Sequence, residues 1–236
     1  MFDKILSFLF PNPCVVCQKP AGRNRFVCTA CEKSFSLLRP AAVCKTCLAP
    51  VPADAEVCGR CLKNNPAYDR LVACASYQGI LRNSLHRYKF GSRSDLHASF
   101  AQMMCSQILS FGCTDFDAVV PVPLSEERLR ERGFNQSELL AKDIAKRFHV
   151  PCVSNALKKC RNTKRQSELH ENQRSKNVLG AFALSSPDAV RGKKVLLVDD
   201  IFTTGATMRE AAKTLSAVSK SVTACVLAKT DIGQCF

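Results

Sequence analysis

The amino-acid sequence predicts an α/β protein, with a parallel sheet flanked by helices and a small cysteine-rich module in front of it. Short apolar runs alternate with segments of helical periodicity after residue 66, and this alternation is typical of a parallel sheet. Polar side chains gather directly after one of these runs, where parallel sheets bind their ligands. Eight of the 15 cysteines fall in four Cys-x-x-Cys pairs within residues 14–61. We therefore divide the chain into residues 1–10, 11–66 and 67–236.

The strands and helices of residues 67–236 are predicted from the spacing of apolar residues. The runs DAVVPVP (117–123), VLLVDD (195–200) and SVTACVLAK (221–229) indicate buried strands. One helix is expected after Asp95, which can cap it, a second after Ser137, and a third after VLLVDD. Their apolar positions are Leu96, Phe100, Met103 and Ile108; Leu140, Ile144 and Phe148; and Met208, Ala211, Ala212, Leu215 and Val218.

The opening residues MFDKILSFLF are expected to form a short N-terminal helix (1–10) that packs on the body of the protein. They include a lysine, lack a small-residue cleavage site and run directly into Pro11, so they do not resemble a secretory signal. No apolar run approaches the roughly 20 residues that a membrane span needs. An odd number of cysteines without a secretory signal argues against a disulfide framework, and we expect a cytoplasmic location.

The eight paired cysteines of residues 11–66 have the spacing of zinc ligands. Two copies of C-x2-C-x10-C-x2-C follow one another, and each pair can turn two thiolates towards one tetrahedral ion. Four thiolates close a site completely, so one or two zinc ions would be structural. The sequence leaves open whether consecutive or alternate pairs share an ion. The predicted ligands are Cys14, Cys17, Cys28, Cys31, Cys44, Cys47, Cys58 and Cys61.

The formal charge of +14 predicts anionic partners, either phosphorylated small molecules or a nucleic-acid backbone. Two zinc ions held by four thiolates each would lower this charge to about +10, so its sign would not change. Aromatic residues make up 7% of the chain and tryptophan is absent, which is a weak basis for stacking single-stranded DNA.

The segment VLLVDDIFTTGAT (195–207) is the strongest chemical signal in the sequence. Two carboxylates at the end of a buried strand suit the two hydroxyls of a ribose, with Mg²⁺ shared through the sugar or water. The turn that follows opens a helix, where free N–H groups and hydroxyls can hold a phosphate. A threonine-capped helix beside solvated aspartates explains single residues but not the whole group: Asp199, Asp200, Thr203, Thr204, Gly205, Ala206 and Thr207.

This segment resembles the motif with which type I phosphoribosyltransferases bind PRPP (5-phosphoribosyl-1-diphosphate). More of the chain is similar to the ComF family (GntX-like) of competence proteins, which carry cysteine pairs at the N-terminus. The matching motifs are Tyr88-Lys89-Phe90-Gly91, PVPL (121–124), RGFNQ (132–136), the spaced Arg161, Thr163, Gln166, Leu169, Arg174 and Asn177, and DD-x-x-TTGAT. The resemblance implies a type I phosphoribosyltransferase-like parallel sheet flanked by helices, preceded by a small zinc-ribbon module.

The resemblance also implies roles for individual residues. Asp199 and Asp200 would contact the ribose hydroxyls, and residues 203–207 would hold the 5-phosphate. Residues 158–176 carry about +5 and would form the mobile loop that closes over the diphosphate, although a solvated basic loop or a DNA contact would have the same charge. The expected catalytic residues are Arg161, Arg165 and Arg174 in this loop and Lys89 in a second diphosphate-contacting loop; Arg132, Asn135 and Gln136 are expected to join the ligand site.

Two functions are compatible with these observations. The first is a competence protein that supports natural transformation, with PRPP or another nucleotide as ligand and with single-stranded DNA and a helicase-like protein as partners. The alternative is an active phosphoribosyltransferase with an unknown acceptor. A free-standing zinc-ribbon transcription factor is disfavoured, because the C-terminal domain has its own ligand site and lacks a base-reading helix.

Overall fold

A computed structural model describes residues 13–22, 25–34, 36–39, 41–90, 93–161 and 178–230. The predicted helix over residues 1–10 lies outside this part of the chain. The strands are β1 (Arg70–Ser76), β2 (Ala118–Pro121), β3 (Leu157–Lys159), β4 (Phe182–Leu184), β5 (Lys194–Phe202) and β6 (Ser221–Lys229). The helices are α1 (Gly59–Asn64), α2 (Gly79–Phe90), α3 (Leu96–Ser110), α4 (Glu126–Arg132), α5 (Gln136–Phe148) and α6 (Ala206–Ser216).

A four-stranded parallel sheet with the order β1-β6-β5-β2 forms the centre of the protein. Its strands are continuous apolar runs because helices and loops cover the sheet. The three predicted strands are confirmed, and β1 joins them at one edge. The predicted α/β class is confirmed as well. Strands β3 and β4 form a separate antiparallel pair beside α6.

The predicted helices are present, but two of their starts differ from expectation. Asp95 precedes α3 without capping it through its side chain, because both carboxylate oxygens bind the guanidinium of Arg93 at 2.8 Å. Helix α5 begins at Gln136 rather than after Ser137. Its cap is Asn135, whose side-chain oxygen accepts from the amide of Ser137 at 3.1 Å. The hydroxyl of Ser137 is thereby left for another partner.

The cysteine-rich module packs against the body of the protein. Cys14, Val15 and Leu48 belong to the same buried cluster as the sheet. Two backbone carbonyls of the first Cys-x-x-Cys turn, those of Val15 and Val16, accept from Ser84 and Arg87 of α2. The first metal site is therefore in direct contact with the helix that leads to the ligand site.

Candidate functional site

The eight predicted ligands form two clusters in sequential order. Within each cluster all four sulfur atoms lie within 4.8 Å of one another. The question that the sequence left open is thus answered, because the first four cysteines share one site and the last four share the other. Sulfur atoms of Cys17 and Cys28 are 3.7 Å apart, and those of Cys47 and Cys58 are 3.6 Å apart. Four sulfurs at about 2.3 Å from one zinc ion would be separated by about 3.8 Å, so both clusters fit the metal.

Backbone N–H groups prepare the sulfur atoms for a cation. The amide of Cys28 donates to Cys14 Sγ, and that of Cys58 donates to Cys44 Sγ, both at 3.3 Å. Burial alone would raise the pKa of the Cys14 and Cys44 thiols, but the backbone hydrogen bonds outweigh it and lower both values to about 7. Burial and then the neighbouring cysteines raise the pKa of Cys31 and Cys61 in the same clusters, so four thiolates would form together only around a cation such as structural zinc.

The two aspartates lie where the sequence places them, near the carboxyl end of β5. Asp199 Oδ1 accepts from Ser137 Oγ at 2.8 Å and from the Asp200 amide at 2.9 Å. Asp200 Oδ2 pairs with Lys89 Nζ at 2.8 Å. Within the described chain, the second oxygen of each carboxylate accepts no hydrogen bond. One oxygen of each carboxylate is therefore positioned by the protein, and one is available to a ligand.

The ionisation of Asp199 is unusual for a carboxyl group. Burial and then the charge of Asp200 raise its pKa to about 7, while the hydrogen bonds from Ser137 and the Asp200 amide act in the opposite direction. Lys89 also favours the charged form, but less strongly. Asp199 therefore changes charge close to neutral pH, as groups at functional sites often do.

The predicted phosphate loop connects β5 to α6. Gly205 has φ +75°, and an added Cβ would lie 2.3 Å from Cζ of Phe202. Glycine is thus required by the turn itself and by contact with Phe202. The Thr204 carbonyl accepts from Arg209 Nη1 at 2.8 Å, and the Ala206 amide makes a long contact of 3.4 Å with Thr204 Oγ1. The amides of Thr204 and Gly205 make no hydrogen bond within the described residues, so they can receive a phosphate.

The second cysteine cluster lies beside this loop. A small cavity between them is lined by residues of both regions, including Cys47, Cys61, Tyr68, Thr204 and Arg209. Tyr68 donates to the carbonyl of Thr46 at 3.1 Å, between two ligands of the cluster. Each cysteine cluster therefore lies next to one element of the ligand site: the first contacts α2, and the second lies beside the phosphate loop.

The residues of the RGFNQ segment take different positions around the aspartates. Asn135 caps α5, and its amide nitrogen donates to the carbonyl of Val122 at 3.2 Å, so it positions the start of this helix. Arg132 Nη1 donates to Gln136 Oε1 at 2.9 Å. Gln136 is 1% exposed and precedes Ser137, which contacts Asp199.

Two domain families match the chain. The phosphoribosyl transferase domain matches residues 135–234, and the double zinc ribbon domain matches residues 5–62. The DNA utilization protein YhgH of Escherichia coli K12 is 32% identical over 210 residues, which are 87% of this chain and 91% of that protein. Competence protein F of Haemophilus influenzae is 29% identical, over 80% of this chain and 83% of its own length. Competence protein ComFC of Bacillus subtilis is 26% identical, over 82% of this chain and 90% of its own length. The chain belongs to the ComF family.

The family assignment agrees with the fold, a phosphoribosyltransferase-like sheet behind a double zinc ribbon. Among solved structures, the glutamine phosphoribosylpyrophosphate amidotransferase of B. subtilis complexed with ADP and GMP is 22% identical. The structural match covers 59% of this chain and 30% of the amidotransferase chain, and its TM-score of 0.40 is too low to support any inference about ligands. In the described chain, no helix combines the length and apolarity of a membrane span.

The diphosphate-contacting residues predicted from the family resemblance are only partly described. Lys89 does not lie in a loop as expected; it occupies the last turn of α2, where Asp200 holds its ammonium group. Arg161 Nη2 donates to the carbonyl of Leu179 at 2.7 Å, and the neighbouring Gly180 amide donates to Glu210 of α6 at 2.7 Å. Residues 161 and 180 therefore lie near the helix that starts at the phosphate loop. Arg165 and Arg174 lie outside the described residues.

Sequence reasoning missed three contributors to this ComF-family site. Ser137 was assigned only to a helix start, and Arg209 has no motif of its own. Lys159 was counted only as part of a basic segment. Its ammonium group lies 5.8 Å from the ring centroid of Phe182, and burial followed by the charge of Arg128 lowers its pKa to about 8. The charge of Asp199 acts in the opposite direction, and this interaction links Lys159 to the site. The sequence could have indicated Ser137, because it directly follows the RGFNQ motif. The roles of Arg209 and Lys159 can be recognised only in the folded structure.

Proposed function

We propose that this ComF-family chain supports natural transformation, and that its phosphoribosyltransferase-like domain binds PRPP with Mg²⁺. The relatives named competence proteins and DNA utilization proteins support the cellular role. The arrangement that supports the ligand is the pair Asp199 and Asp200, each with one available oxygen, beside the turn that opens α6. A ribose and its 5-phosphate need both features at once.

The sugar would bind through hydroxyl groups that donate to the free carboxylate oxygens. Ser137 keeps the Asp199 carboxylate in one orientation, and Lys89 does the same for Asp200. The 5-phosphate would accept from the amides of Thr204 and Gly205 and from nearby threonine hydroxyls. Bound Mg²⁺ would supply positive charge to the diphosphate, and carboxylate and ribose oxygens are ligands that it prefers.

The diphosphate would lie near Lys89, whose ammonium group already occupies the carboxylate edge of the sheet. Arg161 stands at the start of the basic segment, and we infer that Arg161, Arg165 and Arg174 close over the diphosphate and exclude water. Whether the bound PRPP is consumed or only sensed separates the two functions. Release of diphosphate in the presence of a panel of amines and nitrogen bases would indicate transfer to an acceptor.

The basic charge of the chain supports anionic partners, and its cysteine usage supports a cytoplasmic location. We propose a cytoplasmic protein that meets incoming single-stranded DNA or a helicase-like protein that handles it. Binding of an oligonucleotide should then weaken as salt increases, because phosphate contacts release counterions.

Calorimetry with PRPP and Mg²⁺ tests the ligand site. The double variant Asp199→Asn/Asp200→Asn is expected to lose measurable binding, while Asp188→Asn should bind like the wild type. Asp188 is a suitable control because its side chain is 89% exposed and pairs only with Arg191 in the described chain. Unchanged affinity in the double variant would contradict the assignment. The transformation frequency of a strain that carries both Asp199→Asn and Asp200→Asn then reports whether the site matters for DNA uptake.

A further inference from the structure

Arg209 of α6 packs directly on the turn that opens this helix. Its Nη1 atom donates to the carbonyl of Thr204 at 2.8 Å. The same atom would lie 2.9 Å from a Cβ added at Gly205, so the guanidinium is in close contact with the glycine. The ring of Phe202 occupies the remaining space beside the glycine. One charged and one aromatic side chain therefore support the phosphate loop from within the protein.

The hydrogen bond to Thr204 determines where the next amide points. The carbonyl of Thr204 and the N–H of Gly205 belong to one planar peptide unit, and in a trans peptide they point in opposite directions. All peptide bonds of the described residues are trans. Since the carbonyl points to Arg209, the Gly205 amide points away from it. This amide is one of the two in the turn that make no hydrogen bond within the described residues.

Without Arg209 the peptide between Thr204 and Gly205 would be much freer to rotate. Gly205 has φ +75°, and glycine reaches other backbone conformations at little cost. A rotated peptide would present the Thr204 carbonyl to a bound phosphate in place of the Gly205 amide. One donor would then be replaced by an oxygen that repels the phosphate oxygens. The hydrogen bond from Arg209 therefore favours the form of the turn that binds an anion.

Arg209 also borders the second cysteine cluster. Together with Thr204 it lines a small cavity whose opposite lining includes the ligands Cys47 and Cys61. Burial raises the pKa of Tyr68, the charge of Arg209 opposes this, and the charge of Cys61 adds to it, so both groups act on one hydroxyl. A zinc ion with four thiolates carries a net charge of about −2, which attracts a guanidinium across a cavity of this kind.

A second arginine, Arg60, lines the same cavity but belongs to the zinc ribbon itself. It lies in α1 directly before the ligand Cys61, so it moves together with the cluster. The two arginines bring a positive charge each, which would balance the charge of the zinc-bound thiolates. Arg209 differs from Arg60 because it reaches the cavity from α6 and also holds the phosphate loop.

We propose that Arg209 is a positioning residue that links the second zinc site to the phosphate loop. The charge of the zinc-bound thiolates holds the guanidinium, the guanidinium holds the Thr204 carbonyl, and the Gly205 amide is thereby directed to the phosphate. Zinc in this site therefore strengthens the binding of ribose 5-phosphate, and the sugar phosphate strengthens zinc binding by the same factor, because coupling between two sites is reciprocal. The inference rests on the proposed function, since it concerns how the 5-phosphate is held.

Calorimetry with ribose 5-phosphate tests Arg209 itself. Arg209→Met removes the donor and the charge, and the affinity should fall about ten- to one-hundredfold, as expected for a lost hydrogen bond from a charged group. Arg209→Lys keeps a charged donor and should recover part of this loss. Lys213→Met is the matched control, because Lys213 is exposed one turn later in α6, and it should bind like the wild type.

Removal of zinc by a competing chelator tests the link to the metal. Saturating ribose 5-phosphate should raise the chelator concentration that removes half of the zinc from the wild type. Arg209→Met should still contain two zinc ions, but saturating ligand should raise this concentration less, and the remaining effect comes from the first zinc site. Lys213→Met should respond like the wild type. A merely structural role of Arg209 in α6 would lower the melting temperature without changing this response.

The outcomes separate this inference from the proposed function. A wild-type protein that does not bind ribose 5-phosphate would refute both. A wild-type protein that binds it with no change in zinc affinity would refute only the link, and this comparison needs no variant. Wild-type affinity for ribose 5-phosphate in Arg209→Met, or an equal loss in Lys213→Met, would overturn the role of Arg209. The same would follow if ribose 5-phosphate protected zinc equally in the wild type and in Arg209→Met.

Discussion

Replacing Ser137 with alanine is expected to change the pH at which the site gains affinity for a sugar phosphate. Ser137 is 3% exposed, so water does not readily replace its hydroxyl on Asp199. A hydrogen bond to a charged group is worth about 1.5–3 kcal/mol, and one pKa unit corresponds to about 1.4 kcal/mol. The pKa of Asp199 is therefore expected to rise from about 7 to about 8 or 9 in the variant.

The direction of the effect follows from the form of Asp199 that binds the sugar. Only the ionised carboxylate accepts hydrogen bonds at both oxygens, so affinity for ribose 5-phosphate should increase as the pH rises through about 7 in the wild type. In Ser137→Ala the same increase should occur at higher pH, and binding at pH 7 should be weaker. Calorimetry between pH 6 and pH 9 measures both profiles.

Asp199→Asn is the control for ligand ionisation. The second pKa of a phosphate monoester is about 6, so the ligand itself contributes to the lower part of each profile. The asparagine variant should retain only this contribution. Coincident profiles for the wild type and Ser137→Ala would refute the reasoning, as would a wild-type profile as flat as that of Asp199→Asn above pH 6.5.

Three further predictions concern the metal sites, the phosphate loop and a surface pair. Purified protein should contain two zinc ions per chain; Cys31→Ser should lose one of them and bind ribose 5-phosphate less tightly, because the first cluster contacts α2. Gly205→Ala should lower the free energy of unfolding by about 2–4 kcal/mol, because alanine would have a strained φ and would contact Phe202. Gly192 also has a positive φ (+66°) but faces open space, so Gly192→Ala should lower the free energy of unfolding by only about 1 kcal/mol. Urea unfolding measures both values. His97 Nδ1 lies 2.6 Å from Asp143 Oδ2, and this hydrogen bond raises the pKa of His97. The hydrogen bond stabilises the protein fully at pH values below the pKa of His97 in the unfolded chain, and this stabilisation disappears as the pH rises through the higher pKa of His97 in the folded protein. Asp143→Asn should therefore lower the melting temperature more at pH 5.5 than at pH 9.

The central sheet was predictable because each of its strands is a short apolar run between polar segments. VLLVDD and SVTACVLAK are recognisable without any partner, since buried parallel strands need apolar residues on both faces. The zinc clusters were predictable for a different reason, because the ligand spacing is local to the chain. Their pairing was not, since consecutive and alternate pairs have the same spacing and differ only in three dimensions.

The details of the ligand site depend on contacts between distant residues, and these were not predictable. Ser137 and Asp199 are 62 residues apart, and Lys89 lies more than 100 residues before Asp200. Asp95 was expected to cap a helix, but a nearby arginine binds it instead, because two charge-assisted hydrogen bonds are stronger than one cap. The sequence identifies Phe90 only as part of a motif, since the exposure of an aromatic residue is a property of the folded chain.

The position of β6 between β1 and β5 has a consequence for how the chain is made. The first strand of the sheet is at residues 70–76, but its hydrogen-bonding neighbour is at residues 221–229. During synthesis on the ribosome, β1 must therefore wait for about 150 further residues before its edge is paired. The four ligands of each zinc site lie close together in the sequence, so both sites can form well before that, and the module can then cover part of the apolar surface of the nascent chain. A nonsense mutation just before residue 221 would remove the middle of the sheet rather than its edge, and such a product should be degraded or aggregate.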